Sequence, residues 1–575
     1  MMSFRTTVSV LGRNTQMLNV TTGSRFGCHK SCVSPSVATV FYSQDVHSNI
    51  PPVDCPMHNN NTDRNSQPNW QEKRRNKSTM VGTVKDIDIT ATQAESTQPF
   101  NEIPIPGGHE KGLMGILAPL YHAWRGKAFT KPHEYLFSCA KECGPIFRQN
   151  TLMGWVVNIS DADGIEKVFR AVGKYPNRPM VKSWIEHRHD RNFALGIITS
   201  EHETWQRLRS AVSKGILKPG VLVSHVGSMH EVTLDLINKL RSIRKPDGVI
   251  PDIETELFKW AMESSATFVF DKRLNLITEK VLKKENQDFF DALQVIALES
   301  SKLWSLPEKV INNLPESRNP ILKSNKAWDV LFAITKTYID EKMGALARKA
   351  DNGEDFDDGT FVAYMLTQNE ITTEEIYGNV SEIFPASVDT TAHTTAWLIH
   401  EVSKHPEVQD KLYDELISIN PENTTPTSEM LDSMTYLKAT VKETQRLYPI
   451  TLATARILDN DIVIKGYNIP KETHITTNFY TASRDPKLFD NPNEFKPERW
   501  LQNEKKYHPF ASLPFGHGTR MCVGRRLAQQ EMYLVLSELV RNFRLVSTKP
   551  NVGSNCGVTI HPESSVEPKL IDRRK

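Results

Sequence analysis

Residues 514–526 read Pro514-Phe515-Gly516-His517-Gly518-Thr519-Arg520-Met521-Cys522-Val523-Gly524-Arg525-Arg526. This glycine-rich stretch contains one cysteine, and apolar residues recur at helical spacing after it, so we expect a helix to begin just past Cys522. The positive end of that helix and the neighbouring arginines favour a thiolate over a thiol. Because a thiolate is the form of cysteine that binds soft metals and haem iron, the stretch predicts a metal-cofactor site.

Two other features of the loop fit a flat, anionic cofactor. Gly518 and Gly524 leave room for such a group to approach the backbone, and they supply turn angles that other residues resist. Arg520 can pair with an anionic group on the cofactor. The alternative is that Cys522 is a small buried hydrophobe, as most single cysteines are.

The loop matches the pattern Phe-x-x-Gly-x-Arg-x-Cys-x-Gly at each fixed position. This pattern resembles the haem-binding loop of the cytochrome P450 family. The resemblance covers about residues 97–571 and implies a mainly α fold with a small β region. It further implies haem b as the cofactor, with Cys522 as the axial iron ligand and with Arg520 and Phe515 in the cofactor-binding loop.

Composition places the chain among ordinary globular proteins, with 39% hydrophobic and 24% charged residues in 575. The formal net charge of +2 gives no reason to expect a nucleic-acid partner. Seven scattered cysteines indicate a reducing compartment rather than a disulfide framework. The spacings Cys28–Cys32 and Cys139–Cys143 match zinc half-sites, but neither pair has a convincing second half, so we interpret both as incidental.

The N-terminal segment has the composition of a targeting sequence. Residues 1–44 contain arginines but no Asp or Glu, and Phe4, Val8, Leu11 and Leu18 fall on one helical face, which predicts a mitochondrial transit peptide. The alternative is a disordered polar tail. Residues 45–96 are polar and predict a disordered linker, so ordered structure is expected from about residue 97.

Local patterns predict the main elements that follow. We expect a helix over residues 133–142, a strand pair over 146–149 and 155–159, and a helix over 161–172. Residues 253–345 are mainly helical by period, with interruptions at 305–307 and 314–320. A β-rich segment is expected over 451–477, and the resemblance places residues 450–454 against the substrate.

A long helix is predicted to carry the reaction chemistry. Thr372 and Glu375 fit a capping box, and the helix is expected to end at Lys404, before His405-Pro406. Within it, Asp389-Thr390 matches the acid–alcohol pair of the family. Reductive cleavage of dioxygen consumes two protons, and a hydroxyl with a nearby carboxylate can deliver them.

Two residues of this helix depart from the family's pattern. Pro385 stands inside the helix, where proline ordinarily costs about 3 kcal/mol, and Ser387 replaces the more usual glycine. Both put the fine geometry of oxygen activation in doubt, although not haem binding.

The resemblance assigns further residues to the cofactor. Trp205 and Arg209 stand at i and i+4 on one helical face, and the family's corresponding residues contact a haem propionate. Arg456 corresponds to another propionate partner. The alternative, which is the commoner case for such a pair, is a buried tryptophan beside a surface arginine.

The resemblance also implies a structural salt-bridge triad of Glu443, Arg446 and Arg499. Its role would be to hold the haem-side loop, because buried charges are tolerated only when paired. An isolated Glu-x-x-Arg is usually a solvated surface pair that contributes little.

Basic residues near the cofactor loop suggest a redox partner. The mitochondrial class of the family receives electrons from an acidic ferredoxin, and Lys438, Lys442, Arg525 and Arg526 are the residues expected to bind it. The alternative is that the lysines are simply solvated.

The interrupted helical region offers a membrane contact. The resemblance places the loop over the substrate entrance, and its apolar residues either enter a membrane interface or pack on the protein. These residues are Leu303, Trp304, Leu306, Val310, Ile311 and Leu314.

Together these features predict a haem-thiolate monooxygenase that takes electrons from NADPH through ferredoxin reductase and an adrenodoxin-like ferredoxin. By analogy with the mitochondrial class, the substrate would be a lipophilic molecule, a sterol or steroid, and the enzyme would lie on the matrix side of the mitochondrial inner membrane. The alternatives are a microsomal-type enzyme fed by a flavoprotein reductase, a haem-binding sensor or carrier, and a rearranging haem-thiolate enzyme.

Overall fold

The computed structural model describes residues 97–573, except 109–127, 129, 152–153, 218, 307, 354–358 and 502–506. The predicted transit peptide and linker lie outside the described residues. Within them the fold is mainly helical with small β-sheets, which confirms the expected fold class. Among the described helices, none combines the length and apolar character needed to cross a bilayer.

The helices contribute most of the ordered chain. In chain order they are α1 (Pro132–Cys143), α2 (Ala162–Ala171), α3 (Lys182–Arg191), α4 (His202–Leu217), α5 (Pro219–Ile243), α6 (Ile253–Phe270), α7 (Lys284–Ser305), α8 (Glu308–Asn312), α9 (Pro320–Asp351), α10 (Phe361–Leu366), α11 (Thr373–Lys404), α12 (Pro406–Ile419), α13 (Ser428–Ser433), α14 (Thr435–Leu447), α15 (Phe479–Ala482) and α16 (Arg525–Asn542). Short 3-10 helices lie at Phe100–Glu102, Glu316–Arg318 and Pro497–Trp500.

The strands form one larger sheet and three two-stranded ones. They are β1 (Ile146–Thr151), β2 (Gly154–Ile159), β3 (Ala453–Ile457), β4 (Ile462–Ile464), β5 (Tyr467–Ile469), β6 (His474–Asn478), β7 (Phe543–Val546), β8 (Ser554–Cys556), β9 (Ile560–Pro562) and β10 (Lys569–Asp572). The larger sheet has the order β1-β2-β6-β3, and in it β2 pairs with β6 in parallel. The small sheets pair β4 with β5, β7 with β10, and β8 with β9.

Local sequence signals account for several of these boundaries. The predicted strand pair forms β1 and β2, where Thr151 pairs with Gly154, and Gly154 has a φ of 89° that favours glycine. The capping box of α11 is present: Thr372 N donates to Glu375 at 2.9 Å, and Glu375 N donates to the Thr372 hydroxyl at 3.2 Å. The helix ends at Lys404, as the following proline predicts.

The structure confirms that residues 253–345 are mainly helical and adds an interruption that the sequence did not predict, between α6 and α7. Helix α6 ends at Phe270, where Asp271 adopts a left-handed φ of 54°. The buried Glu263 carboxylate then accepts hydrogen bonds from Asn275 N and Leu276 N, which fixes a non-helical turn. Apolar residues of this turn pack in the core, so their spacing imitated a helix.

The main hydrophobic core surrounds α11. Helix α11 packs against α6 on one side and also contacts α14 and α16, and its residues from Val380 to Val402 contribute buried side chains to that core. A second, smaller core lies beneath the four-stranded sheet and α2. The helices and the sheet therefore hold α11, β3 and the loop before α16 around a common space.

A buried carboxylate joins α14 to the chain that leads into the cysteine loop. Glu443 is fully buried and forms ion pairs with Arg446 at 2.7 Å and with Arg499 at 2.8 Å. It also accepts hydrogen bonds from Trp500 Nε1 at 2.9 Å and from Lys496 N at 3.0 Å. Because the arginines bond in turn to backbone carbonyls of residues 483–494, this cluster fixes the whole segment.

We predict that Glu443→Gln destabilises the fold by about 3–5 kcal/mol, because it removes the charge that compensates two buried guanidinium groups. Urea denaturation would measure the free energy of unfolding. Glu422→Gln, at an exposed turn after α12, is the control and should change it by less than about 0.5 kcal/mol. Equal effects of the two substitutions would contradict a structural role for Glu443.

Candidate active site

A large internal cavity occupies the space between α11, β3 and the cysteine loop. Its volume is about 1670 Å³, well above the roughly 300–1,000 Å³ of a pocket for one small ligand. Cys522, Thr390 and Arg456 all line it. The cavity can therefore hold a large cofactor together with a separate substrate.

The cysteine loop is closed by its own backbone. Gly516 and Gly518 adopt φ values of 69° and 79°, which glycine tolerates and other residues resist. These turns let Cys522 N donate to Phe515 O at 2.9 Å and Met521 N donate to Gly518 O at 3.0 Å. A Cβ at Gly518 would meet nothing within 4 Å, which leaves open space beside the loop.

The structure corrects one expectation about this loop. Gly524 has a φ of −83°, so no turn angle requires glycine there, although a Cβ at this position would also meet nothing within 4 Å. Helix α16 begins at Arg525, directly after it, in agreement with the expected helix start.

The thiol of Cys522 is less acidic than the helix and arginines suggested. The Cys522 side chain is accessible, and the surface that it exposes forms part of the cavity wall. Burial raises the pKa of Cys522, whereas the backbone N–H of Gly524 and the charges of Arg209 and Arg525 act to lower it. Burial outweighs them in the free thiol, but coordination to a metal ion replaces the proton and yields the thiolate.

Four buried or half-buried arginines converge beside the loop. Arg520 Nε donates to Pro176 O at 3.0 Å, its Nη2 donates to Ser200 O at 3.3 Å, and its guanidinium lies 4.1 Å from the centre of the Trp205 ring. Arg209 Nη2 donates to Met521 O at 2.6 Å, which ties α4 to the loop. Trp205 therefore supports Arg520 with its ring face.

Arg178 is a member of this group that the sequence did not reveal. It lies in the loop before α3, where the backbone of Asn177 bridges to Ile457 at the end of β3. That bridge brings Arg178 beside Arg456, and the positive charge of Arg178 lowers the pKa of Arg456. An arginine between two prolines in a polar loop carries no sequence signal for such a contact.

The arginines lack enough anionic partners within the protein. Burial and mutual repulsion lower the pKa of Arg520 to about 9, and burial with the charge of Arg178 lowers that of Arg456 to about 10. Burial also lowers the pKa values of Arg178 and Arg209. Among the described residues, buried nitrogens of three of them have no hydrogen-bond partner, namely Arg178 Nε, Arg456 Nε and Arg520 Nη1.

The hydroxyl-bearing turn of α11 faces the same cavity. Thr390 Oγ1 donates to Ala386 O at 2.7 Å, while Ser387 Oγ donates to Phe384 O at 2.7 Å and lies 2.8 Å from Ser265 Oγ on α6. The added Ser387 side chain is thus held between two helices. Pro385 also lines the cavity, inside the helix as expected.

Asp389 lines the cavity next to Thr390, with both of its oxygens engaged. The Thr559 hydroxyl donates to Oδ2 at 2.8 Å, and His393 Nδ1 lies 3.3 Å from Oδ1. Burial acts to raise the pKa of Asp389, but the charge of His393 and these hydrogen bonds hold it below its usual range. Asp389 is therefore anionic at neutral pH.

Comparison with known proteins agrees with this arrangement. The Cytochrome P450 family model matches residues 114–564. The chain belongs to the cytochrome P450 family.

The relatives and solved structures extend the match along both chains. The chain is 32% identical over 449 residues to the mitochondrial 1,25-dihydroxyvitamin D(3) 24-hydroxylase of Rattus norvegicus, which covers 78% of this chain and 85% of that protein. It is 32% identical over 479 residues to the mitochondrial 25-hydroxyvitamin D-1 alpha hydroxylase of Homo sapiens, a match that covers 80% of this chain and 93% of that protein. The crystal structure of the cytochrome P450DA heme domain superposes with a TM-score of 0.68 at 20% identity, covering 83% of this chain and 98% of that one.

Family membership makes this P450 a haem-thiolate monooxygenase, and the cavity fits the cofactor. Haem carries two anionic propionates, which match the unpartnered nitrogens of Arg178, Arg456 and Arg520. Cys522 corresponds to the family's cysteine ligand, and it lines the cavity next to the glycine turns of its loop. When bound, haem iron supplies the activation of dioxygen.

The residues expected to bind a redox partner differ in availability. Lys438 Nζ donates to Asp432 O, and Lys442 Nζ lies 3.9 Å from the centre of the Trp500 ring, where burial lowers the pKa of Lys442. Arg525 is half-buried close to Cys522, and Arg526 is exposed. The lysines are partly engaged by the protein, but Lys442 keeps an exposed surface.

We predict that Cys522→Ser abolishes the thiolate-type spectrum of the reduced carbon-monoxide complex, because a hydroxyl does not replace thiolate as a ligand of haem iron. Cys556→Ser is the matched control, since Cys556 lines the same cavity and is also a free thiol. It should leave the spectrum intact. A thiolate-type spectrum that survives in Cys522→Ser would place the ligand elsewhere.

We predict that Arg178→Gln affects the P450 more with haem than without it. Loss of a charge-assisted hydrogen bond should speed haem release to apomyoglobin, with a loss of about 1.5–3 kcal/mol in affinity. The haem-free chain should change little in thermal stability, because removal of a charge that repels Arg520 and Arg456 is offset by loss of its attraction to Glu382 and Glu201. Arg170→Gln, on the exposed side of α2, is the control and should change neither measurement. Unchanged haem release would exclude Arg178 from propionate binding.

Proposed function

We propose that this P450 is a mitochondrial monooxygenase that hydroxylates a sterol-derived lipophilic substrate, with electrons from NADPH through ferredoxin reductase and a ferredoxin. The observation that carries the proposal is the match, along most of both chains, to mitochondrial hydroxylases of vitamin D compounds. The enzyme is proposed to lie on the matrix side of the inner membrane.

The shape and lining of the cavity support a lipophilic substrate. The part of the cavity formed by α6, α7 and α9 is lined by apolar side chains, including Phe258, Leu293, Ile296 and Trp328. Burial of a rigid apolar skeleton there gains roughly 25 cal/mol per Å². Residues 450–454 line the same cavity, as the resemblance implied, so they lie where they can contact a substrate.

We assign proton handling to Asp389 and Thr390. Asp389 is an anionic carboxylate at the cavity wall, and Thr390 follows it in sequence with its hydroxyl at the same wall. The carboxylate can hold a proton transiently, and the hydroxyl can orient a water molecule that carries it. Trp205, Arg209, Arg456, Arg520 and Phe515 are proposed to hold the cofactor, and Glu443, Arg446 and Arg499 to hold the loop.

An acidic ferredoxin is the proposed electron donor. Positive charge is placed on α14 by Lys438 and Lys442, and at the start of α16 by Arg525 and Arg526, which closely follow Cys522 in sequence. Complementary charge speeds the encounter of two proteins and makes it sensitive to salt. The exposed surface of Lys442 and Arg526 supports this role more directly than Lys438, which is bound to Asp432 O.

Peripheral membrane contact is proposed near α8. The apolar residues expected to contact a membrane differ in their exposure. Ile311 is buried, and Leu303 and Leu306 line the cavity, whereas Val310 is 46% exposed. Leu298 on α7 and Leu322 on α9 are also exposed. The side of the protein at α7–α9 thus presents apolar surface that a membrane interface can cover.

We expect product only when the haem-loaded chain receives NADPH, ferredoxin reductase and ferredoxin, at a rate that falls as salt rises. Substrates are first chosen by screening vitamin D secosteroids and steroids for a shift in the haem iron spin state. Thr390→Ala should keep that shift but lower product formation roughly 10²-fold, because it removes a proton-delivery group. Thr394→Ala, one turn further along the same cavity wall, is the control.

Other outcomes would each contradict the proposal. Product formed only with a microsomal flavoprotein reductase would assign the enzyme to the other electron-transfer class. Turnover of a peroxide substrate without NADPH would indicate a rearranging enzyme. Haem binding without product from any donor would indicate a sensor or carrier.

A further inference from the structure

The Asp389 carboxylate belongs to a polar cluster that extends behind the cavity wall. His393 stands one turn further along α11, with Nδ1 3.3 Å from Asp389 Oδ1 and 3.3 Å from the Thr559 hydroxyl. Thr559 lines the cavity together with Asp389. His561 follows on β9, its Nδ1 3.1 Å from Thr559 O and its ring 5.2 Å from that of His393.

Two anchors hold this cluster in place. Trp397 Nε1, on α11, donates to Ile560 O at 3.1 Å, and Ile560 N donates to Ile450 O at 2.9 Å. These bonds fix the β8–β9 hairpin against α11, and with it the position of Thr559 relative to Asp389. The contact between His393 and Asp389 is therefore built into the packing of the fold.

His393 has the charge environment of a proton donor. The groups whose charges act on it within the described structure are Asp389 on its own helix, Glu254 at the start of α6, and His561 on β9. Burial acts to lower the pKa of His393, but the Asp389 and Glu254 carboxylates raise it above the ordinary value of 6.5. Burial and the charge of His393 lower the pKa of His561, so the second ring is the neutral one.

We propose that His393 is a positioning residue that supplies protons to Asp389 and holds its carboxylate toward Thr390 during oxygen activation. Of the two, Asp389 is among the described residues that line the cavity and His393 is not, so His393 acts through Asp389. The proposal rests on the role proposed above for Asp389. Thr559 holds the second carboxylate oxygen, so that Asp389 keeps one orientation while His393 changes its charge.

The proton balance closes within these groups and water. The His393 imidazolium gives its Nδ1 proton to Asp389 Oδ1, and the bond between nitrogen and hydrogen breaks as the bond to oxygen forms. Asp389 then passes a proton to a water molecule that the Thr390 hydroxyl orients in the cavity, and it returns to the carboxylate as the water becomes the proton carrier. The His393 side chain is 22% exposed, so the neutral imidazole can regain a proton from water.

The direction of the pH dependence follows from the raised pKa of His393. A group whose pKa is raised in the folded protein is fully protonated below its unfolded value, near 6.5, and loses the proton as pH rises through the folded value. Proton supply to Asp389 should therefore be complete at mildly acidic pH. It should decrease as the pH rises through the pKa of His393 in the folded protein. Asp389 itself stays ionised throughout, because its pKa is held below the usual range.

The first test measures the titration directly and requires no turnover. Histidine labelled with ¹³C at Cε1 is introduced into the haem-loaded chain, which is reduced and saturated with carbon monoxide so that the iron is diamagnetic. The His393 signal is identified by its loss in His393→Gln. We expect a pKa above 6.5 in the unsubstituted chain and a pKa below 6.5 in Asp389→Asn, where burial remains and the carboxylate charge is gone.

The second test follows the fraction of NADPH electrons that reach product rather than peroxide. This fraction should fall as pH rises through the His393 pKa from the titration, and His393→Gln should hold it roughly tenfold lower without that pH dependence. The control is His561→Gln, which removes the ring that contacts the backbone carbonyl of Thr559. This variant should keep the original pH profile.

The proposal is overturned if the His393 pKa lies at or below 6.5, or if Asp389→Asn leaves it unchanged. It is also overturned if His393→Gln keeps the original pH profile. If His393→Gln does not retain haem, the signal is identified by its loss in His393→Asn, and the Asp389→Asn titration decides. Because the titration needs no product, its failure is distinguishable from failure of the proposed function.

Discussion

Repulsion among Arg178, Arg209, Arg456 and Arg520 is the constraint on which the arrangement of the active site depends. Burial lowers the pKa values of all four guanidinium groups, and the charge of Arg178 lowers those of the other three further. Several of their nitrogens have no partner among the described residues. Such a cluster is costly until an anion enters it. Binding of haem propionates therefore stabilises the folded chain, by a free energy that grows with the logarithm of the ratio of free cofactor concentration to its dissociation constant.

The buried charges of this P450 fall into two kinds with different consequences. Glu443 meets two arginines, an indole N–H and a backbone N–H, so its charge is compensated within the protein. The arginine cluster receives backbone carbonyls from Pro176, Ser200 and Met521, which satisfy donors but carry no net charge. The first kind keeps the segment before the cysteine loop rigid whether or not haem is bound, whereas the second couples the loop to the cofactor.

Sequence patterns predicted the features that depend on near neighbours. The cysteine loop, the capping box of α11, the β1–β2 hairpin and the end of α11 before Pro406 are each encoded within a few residues. Gly524 was misinterpreted because its φ depends on the loop around it. The break at residues 271–283 was not predicted, because the spacing of its buried apolar residues imitates a helix.

Features that depend on distant contacts were not accessible from the sequence. Arg178 reaches the cofactor space through a backbone bridge between Asn177 and Ile457, and Thr559 reaches Asp389 because Trp397 anchors the β8–β9 hairpin. Neither contact leaves a periodicity or a motif. His393 is spaced one turn from Asp389, which the sequence does show, but its significance depends on Thr559 and on the depth of burial.

Of the two hydroxyls at positions 387 and 390, Thr390 is the one that keeps capacity to serve the cavity. Ser387 is fixed on one side by Phe384 O and on the other by Ser265, so its donor and one acceptor position are both used. Thr390 donates to Ala386 O and keeps its oxygen lone pairs, so it can accept a hydrogen bond from a water molecule without moving. For Thr390 to donate instead, it must give up one hydrogen bond, at a net cost of about 0.5–1.5 kcal/mol. That cost is small enough for the hydroxyl to alternate between the helix and the cavity, which is what a group that orients a proton carrier must do.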